Sequence, residues 1–388
     1  MTEEFHLTPT VPAVLQDIQP LLLDVHKTVD DMDRHWGTVS YSKLNAYTHC
    51  QLGWFGGNFG TFLGSTDSSQ EESAAVGGTI VQRIWTSLVN DRVYRELPSL
   101  DQRVYWMTKQ HMALWYTIIF PYESQFEMTK KENRAFFKSA RGIARLGQMT
   151  QDHGLDVRLY TGIQPKFVVN SDHTHRKHKT LEAYEDSIRE QYGKMLTRFA
   201  SLDVDFDKMI SEVFFRTKFL SHIANGSIDF IYNSNGTAPF TRLSELKDGY
   251  VLLDGKLQIG PTVSTTQLDF YLAALFTQYR VMPGAVGFID WSESDFLWHG
   301  GVSLDTVNQI QRSIGAMQSN AYILLQSLKD LDRRGVKTIS FEDIPHLTVH
   351  PSRLNCRFCP MGTTCRAAHE AGTNRHLPKK EELQEGMK

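Results

Sequence analysis

The sequence predicts an α/β protein: a mixed central β-sheet flanked by helices, carrying a large helical insertion. Three observations predict it. Short β-branched and aromatic runs, Ile228-Asp229-Phe230-Ile231-Tyr232 and Tyr250-Val251-Leu252-Leu253, are separated by the turn signal Asn233-Ser234-Asn235-Gly236. A helix opened by Ser264-Thr265-Thr266 then runs to Arg280 and is followed by a further strand over Ala285 to Trp291, so strand, helix and strand alternate. The region 99–205 reads as mostly helical between those strands and the first helices.

The chain has 388 residues, which at ~150 residues per domain suggests two or three units. Hydrophobic residues make up 41% and charged residues 22%, enough apolar matter for a sizeable core. The net charge of -3 excludes a general polyanion binder, so any nucleic-acid site must be a local basic groove. The longest apolar run, Met112 to Phe120, is far short of the ~20 residues that span a bilayer and is stopped by Pro121. The opening residues MTEEFHLTPT carry no basic and apolar signal-peptide pattern. A cytoplasmic, reducing setting is expected, in which four cysteines are better suited to holding metal than to forming disulfides.

Taken in order, residues 1–39 read as a helical arm with apolar positions at Val14, Leu15, Ile18, Leu21, Leu22, Leu23 and Val25. The segment 40–98 forms the first part of the main body. In it Ser42 is expected to cap a helix that ends at Cys50, and Gly53 to Ser73 reads as a loop. A second helix starts at Ala74 and contains Gly77, Gly78 and Gln82. Within 99–205 the aromatics Tyr105, Trp106, Trp115, Tyr116, Phe120, Tyr122 and Phe126 suit core packing or a base-stacking platform. A hairpin is expected over Asp156 to Tyr160 and Pro165 to Asn170. The run His173-Thr174-His175-Arg176-Lys177-His178-Lys179 is the most basic in the chain, either a solvated loop or a phosphate contact.

The segment 206–345 carries the chemistry. Glu212 to Leu220 reads as the strand before Asp229, with Glu212 a further acid at the site or a solvated strand end. Asp254 and Lys256 are two apart and share a strand face. Two carboxylates, Asp229 and Asp254, suit a hard divalent cation, and a lysine beside them can polarise water or a phosphate oxygen. Gln267 and Tyr271, four apart, share a helix face. Ser303 caps a long amphipathic helix that Gly335 ends. The pair Gly255-Lys256 is no phosphate-binding loop, because Leu257 stands where a Ser or Thr is required and the glycine spacing is wrong. The segment 346–388 holds Cys356, Cys359 and Cys365 in the spacing C-x2-C-x5-C, then a charged tail. With Cys50 these are all the cysteines, and four thiolates suit zinc or an iron–sulfur cluster.

The ordered set Gly226-Ser227-Ile228-Asp229, Asp254-Gly255-Lys256 and Gln267-x3-Tyr271 resembles the catalytic core of the PD-(D/E)XK nuclease superfamily in its RecB-like branch. Ser40-Tyr41-Ser42-Lys43-Leu44 followed by Cys50, and the one-plus-three cysteine pattern, resemble the iron–sulfur nucleases of the AddB-like kind, the CRISPR-associated spacer-acquisition nucleases and phage relatives. The resemblance implies a restriction-endonuclease-like core over 206–345 and a 4Fe–4S cluster on Cys50, Cys356, Cys359 and Cys365. It also implies Mg2+ or Mn2+ on Asp229, Asp254 and the Gly255 carbonyl, with Lys256, Gln267 and Tyr271 serving catalysis. The family's metal-binding histidine is replaced by Gln82, which either holds metal-bound water or is ordinary helix surface. The implied activity is a DNA exonuclease acting in recombination, repair or phage DNA metabolism. Its partners would be single-stranded or end-containing duplex DNA and a separate helicase or recombination protein, with no membrane. Two alternatives remain open: a DNA-binding accessory subunit with a weakened site, and an RNA nuclease.

Overall fold

The structure is a computed structural model that describes residues 22–60, 62–63, 71–118, 168–169, 181–219, 222–259, 263–300, 302–340, 343–344 and 347. In chain order the elements up to the central sheet are β1 (Leu22–Asp24), α1 (Val25–His35), β2 (Thr38–Val39), α2 (Tyr41–His49), α3 (Gln51–Asn58), β3 (Glu71–Glu72), α4 (Ser73–Asn90), α5 (Val93–Glu96), α6 (Leu100–Ile118), β4 (Val168–Val169) and α7 (Leu181–Ser201). They are followed by β5 (Met209–Phe219), β6 (His222–Tyr232), β7 (Tyr250–Lys256), α8 (Thr266–Tyr279), β8 (Pro283–Asp290), β9 (Asp295–His299), α9 (Leu304–Arg333) and β10 (Thr338–Ser340).

The chain divides into two compact units, Met1–Thr66 with Arg216–Asn225 and Asn308–Lys388, and Asp67–Phe215 with Gly226–Val307. In the first, β1 pairs antiparallel with β10, and β2 pairs parallel with the opening residues of β6. Its core is built by Val25, Val29 and Met32 of α1, Leu52, Trp54 and Phe55 of α3, and Ile314, Met317, Ala321 and Leu324 of α9. Asp33 takes an ion pair from Lys329, and Asn320 Nδ2 donates to Tyr47 Oη at 2.6 Å, tying α1 and α2 to α9.

In the second unit a mixed sheet carries the centre of the fold. β5 pairs with β6, β6 is antiparallel to β7, β7 is parallel to β8, and β8 is antiparallel to β9. Alternation decides what each face meets. Phe230, Leu253 and Ile289 share one core with Ile84, Trp85 and Leu88 of α4, Met107 and Leu114 of α6, and Met195, Leu196 and Phe199 of α7. The other face carries Ile231, Leu252, Val286 and Phe288, all buried, and α8, whose Phe270 and Tyr271 rings meet Phe215 of β5. Helices therefore flank the sheet on both sides, as a mixed α/β sequence leads one to expect.

Several sequence expectations need correction. Gly53 to Asn58 is helical, not loop: Cys50 caps α3, and burial of Leu52, Trp54 and Phe55 outweighs the low helix propensity of its glycines. Ser40, not Ser42, caps α2, since Ser40 has the extended backbone and accepts the Lys43 N–H. Leu22 and Leu23 lie on a strand instead of in the helical arm, because β10 offers them a ladder. Val168 and Val169, placed in a hairpin by the sequence, pair parallel with β3; the rest of that hairpin and the basic run at 173–179 lie outside the described residues. Ser303 does cap α9 through the Thr306 N–H. No helix among the described residues is long and apolar enough to cross a membrane.

Candidate active site

The strand pairing brings the two aspartates together. The antiparallel register of β6 and β7 ends at Phe230↔Leu253, one residue short of Asp229 and Asp254. There the ladder gives way to a side-chain contact, with the Gly255 N–H donating to Asp229 Oδ2 at 2.8 Å. Gly255 is fixed in type by what lies behind it: a Cβ would stand 2.7 Å from the Trp291 indole nitrogen. Gly226 is fixed in the same way by the Phe215 ring, 2.9 Å from where its Cβ would be.

Helix α8 supplies the remaining contacts. Gln267 Nε2 donates to Asp254 Oδ1 at 2.8 Å and to Tyr271 Oη at 2.8 Å, while Gln267 Oε1 accepts from Lys256 Nζ at 2.8 Å. Lys256 Nζ also pairs with Asp254 Oδ2 at 2.6 Å. One amide thus holds both charged groups of the D-x-K pair and the tyrosine one turn along. Asp229, Asp254, Lys256, Gln267, Tyr271 and Gly255 are all brought to one place. The sequence grouped Asp229, Asp254 and Lys256 and set Gln267 and Tyr271 on one helix face, but the amide's bridging position follows only from the packing of α8 on the sheet.

Gln82 belongs to the same neighbourhood through a different contact. Its Nε2 donates to Ser211 Oγ at 3.2 Å and to the Asp229 backbone carbonyl at 3.3 Å. Its Oε1 is buried and without a hydrogen-bond partner among the described residues. Ordinary helix surface is therefore the wrong description of this residue.

The electrostatics follow from burial. Asp254 exposes 1% of its surface, and burial raises its carboxyl above the ordinary range; Glu212 adds to that rise and Lys256 opposes it. Burial likewise pushes Asp229 up to about 8, with further repulsion from Asp254 and Glu212, against the pull of the Gly255 N–H and Lys256. Among the described residues Asp254 Oδ2 is met by the Lys256 ammonium alone, at 2.6 Å. The two carboxylates Asp229 and Asp254, joined through the Gly255 N–H and the Gln267 amide, are hard oxygen donors of the kind a divalent cation takes. Among the described residues no three His, Cys, Asp or Glu side chains close on one metal position. A cation here would have to draw on two carboxylates, amide or backbone oxygens, and water.

The sequence missed a polar stripe on α4. Gln82, Thr86 and Asn90, at successive four-residue steps, all reach Ser211 of β5. Polar residues recurring every fourth position beside the buried Ile80, Ile84, Trp85 and Leu88 were the available signal. Cys50 sits between α2 and α3, its Sγ accepting the Gly53 N–H at 3.5 Å; Cys356, Cys359 and Cys365 lie outside the described residues. No protein-family model matches the chain, and no curated protein matches it.

Proposed function

We propose that the protein is a metal-dependent phosphodiester hydrolase acting on DNA, an exonuclease of the RecB-like PD-(D/E)XK kind with a restriction-endonuclease-like core. The observation that carries this reading is the Gln267 amide, bonded at once to Asp254 and Lys256 beside Asp229. Asp229, Asp254 and the Gly255 carbonyl would hold Mg2+ or Mn2+, which when bound supplies charge neutralisation at the non-bridging phosphate oxygens. Lys256 brings a positive charge to the phosphate and orients the attacking water. Gln267 keeps Asp254 and Lys256 in register, so neither must reorganise when the substrate arrives. Gln82 holds the backbone of Asp229 and offers its unpartnered oxygen to metal-bound water.

Cys50 with Cys356, Cys359 and Cys365 would hold a 4Fe–4S cluster. The fit can be judged at Cys50, a half-buried free cysteine whose sulfur caps α3 by accepting the Gly53 N–H. DNA with a free end is the proposed substrate, with a helicase or recombination protein as a separate partner. A second reading, a DNA-binding accessory subunit with a weakened centre, is favoured by one observation: an amide stands at position 82 with its nitrogen committed to a carbonyl.

The deciding measurement is initial cleavage rate of labelled single- and double-stranded DNA, with RNA as competitor, against Mg2+ and Mn2+ concentration. Wild type should cleave. Lys256→Ala should lose ~10²–10³ in rate with metal binding kept, and Asp254→Asn should also need far more metal. Wild-type-like cleavage by both variants would remove the assignment, and an inactive wild type that still binds DNA would select the accessory reading.

A further inference from the structure

We propose that Glu212 is the base that takes the proton of the attacking water, and that the polar stripe of α4 exists to hold it there. The proposal rests on the hydrolase reading above. In hydrolysis the water oxygen bonds to phosphorus, its proton must go to an acceptor, and the bond from phosphorus to the leaving oxygen breaks with its electron pair. The leaving oxygen is then protonated from solvent, and the base returns its proton to solvent. Among the ionisable groups described so far each is already engaged, and the free oxygen of Gln82 belongs to a neutral amide that takes no proton. Lys256 stands as the cation of an ion pair, and Asp254 is engaged by Lys256 and Gln267. Asp229 takes the Gly255 N–H.

Glu212 is the third carboxylate of the centre and differs from the other two. It is exposed, and Ser227 Oγ donates to its Oε2 at 3.0 Å, which leaves Oε1 without a partner among the described residues. It lies on the aspartates' side of the sheet, because its partner Ser227 stands two residues before Asp229 on the same face of β6, and it raises the carboxyl of both aspartates. Yet it does not join them around one metal position among the described residues. A carboxylate close to the cation-holding pair, but apart from it, is placed to act on water.

The backbone supports the assignment independently. Glu212 has φ 52, the left-handed region that a residue with a Cβ adopts only under constraint. The constraint is visible one residue earlier. Asn90 Oδ1 accepts the Ser211 N–H at 2.9 Å and Asn90 Nδ2 donates to the Ser211 carbonyl at 2.7 Å. Thr86 Oγ1 lies 3.0 Å from Ser211 Oγ, and Gln82 Nε2 donates to that same oxygen. Asn90 occupies both backbone groups of Ser211, so β5 can turn out of regular geometry at the next residue. A glycine at 212 would remove the strain. A glutamate kept there by a dedicated clamp is kept for its carboxylate.

The experiment compares wild type with Glu212→Gly, Glu212→Gln and Glu212→Asp, by thermal melting and by cleavage of labelled DNA with Mn2+. Glu212→Gly should melt higher than wild type, because glycine suits that φ, and should lose ~10²–10⁴ in kcat. Its KM and its metal requirement should stay unchanged. Added formate should restore part of the lost rate to Glu212→Gly, and Glu212→Asp should keep more activity than Glu212→Gln. An active wild type with an equally active Glu212→Gly overturns this proposal alone. So does a rate loss that formate leaves untouched, or one accompanied by a raised metal requirement, which would make Glu212 a metal ligand. A wild type that cleaves nothing overturns the hydrolase reading and this proposal together.

Discussion

Asp254 places a carboxyl where 1% of its surface meets water, and Asp229 faces it from the neighbouring strand. Both carboxyls are raised by that burial, Asp229 to about 8. The consequence for stability has a definite sign. An unfolded aspartate titrates near ~3.9, so between that pH and about 8 the folded chain holds a proton at Asp229 that the unfolded chain has released. Stability is then greatest below the unfolded value and falls as pH rises through the folded one. Protein stripped of divalent cations should melt progressively lower from about pH 5 to about pH 8.5, and Asp229→Asn should flatten that slope. Mg2+ should restore most of the loss at the alkaline end, by binding the folded state alone. A slope unchanged by Asp229→Asn would show that the strain resides elsewhere. At this scale the acidic residues and Lys256 were legible because their types and spacing are those a cation and a phosphate would ask for. The left-handed backbone of Glu212 was not, since a glutamate gives no local hint of φ > 0.

Two helices turn these residues into a centre, and they were legible to different degrees. The pattern of α8 was plain, because Gln267 and Tyr271 fall on one face and the strand–helix–strand alternation surrounds them. What could not be read was that Gln267 would point between the two groups of the D-x-K pair, which depends on where α8 crosses the sheet. On α4, Gln82 stands out in the sequence only as a departure from a resemblance, while Thr86 and Asn90 carry no signal of their own. Their common target, Ser211, is remote in sequence. Segment α3 was misread for a related reason: its composition says turn, whereas its capping and its buried tryptophan and phenylalanine say helix. The role given to α8 is open to test. Gln267→Ala deletes one hydrogen bond to a carboxylate and one from an ammonium, each worth about 1.5–3 kcal/mol. Turnover at saturating Mg2+ should fall by ~10–100-fold, and the metal requirement should rise because Asp254 loses its orientation. A Gln267→Ala enzyme with both quantities unchanged would leave the amide without a catalytic part.

At the scale of the molecule, the mixed α/β class was legible because long stretches of the chain keep one period each: β-branched runs in β6, β7 and β8, and a helical apolar pattern in α9. The discontinuous division into two units was not, since each draws on segments far apart in the chain. Contacts that close long loops carry no local signal, and closing them costs chain entropy that something must offset. In the first unit α1, α2 and α9 meet through Asp33–Lys329 and Tyr47–Asn320. The surface ion pair contributes little, roughly 0–1 kcal/mol. A cluster on Cys50, Cys356, Cys359 and Cys365 would bind the folded chain and not the unfolded one, and so would stabilise it by mass action. Protein purified without oxygen should then be brown, with broad absorption near ~400 nm from iron–thiolate charge transfer. Cys50→Ala should be colourless, should melt lower, and should be cut by trypsin at α1, α2 and α9 before the sheet of the second unit is attacked. Oxidative removal of the iron should reproduce that cleavage pattern in the wild type. A colourless, folded protein with one zinc per chain would replace the cluster and keep the clip, whereas a folded, metal-free protein indifferent to Cys50→Ala would abolish both.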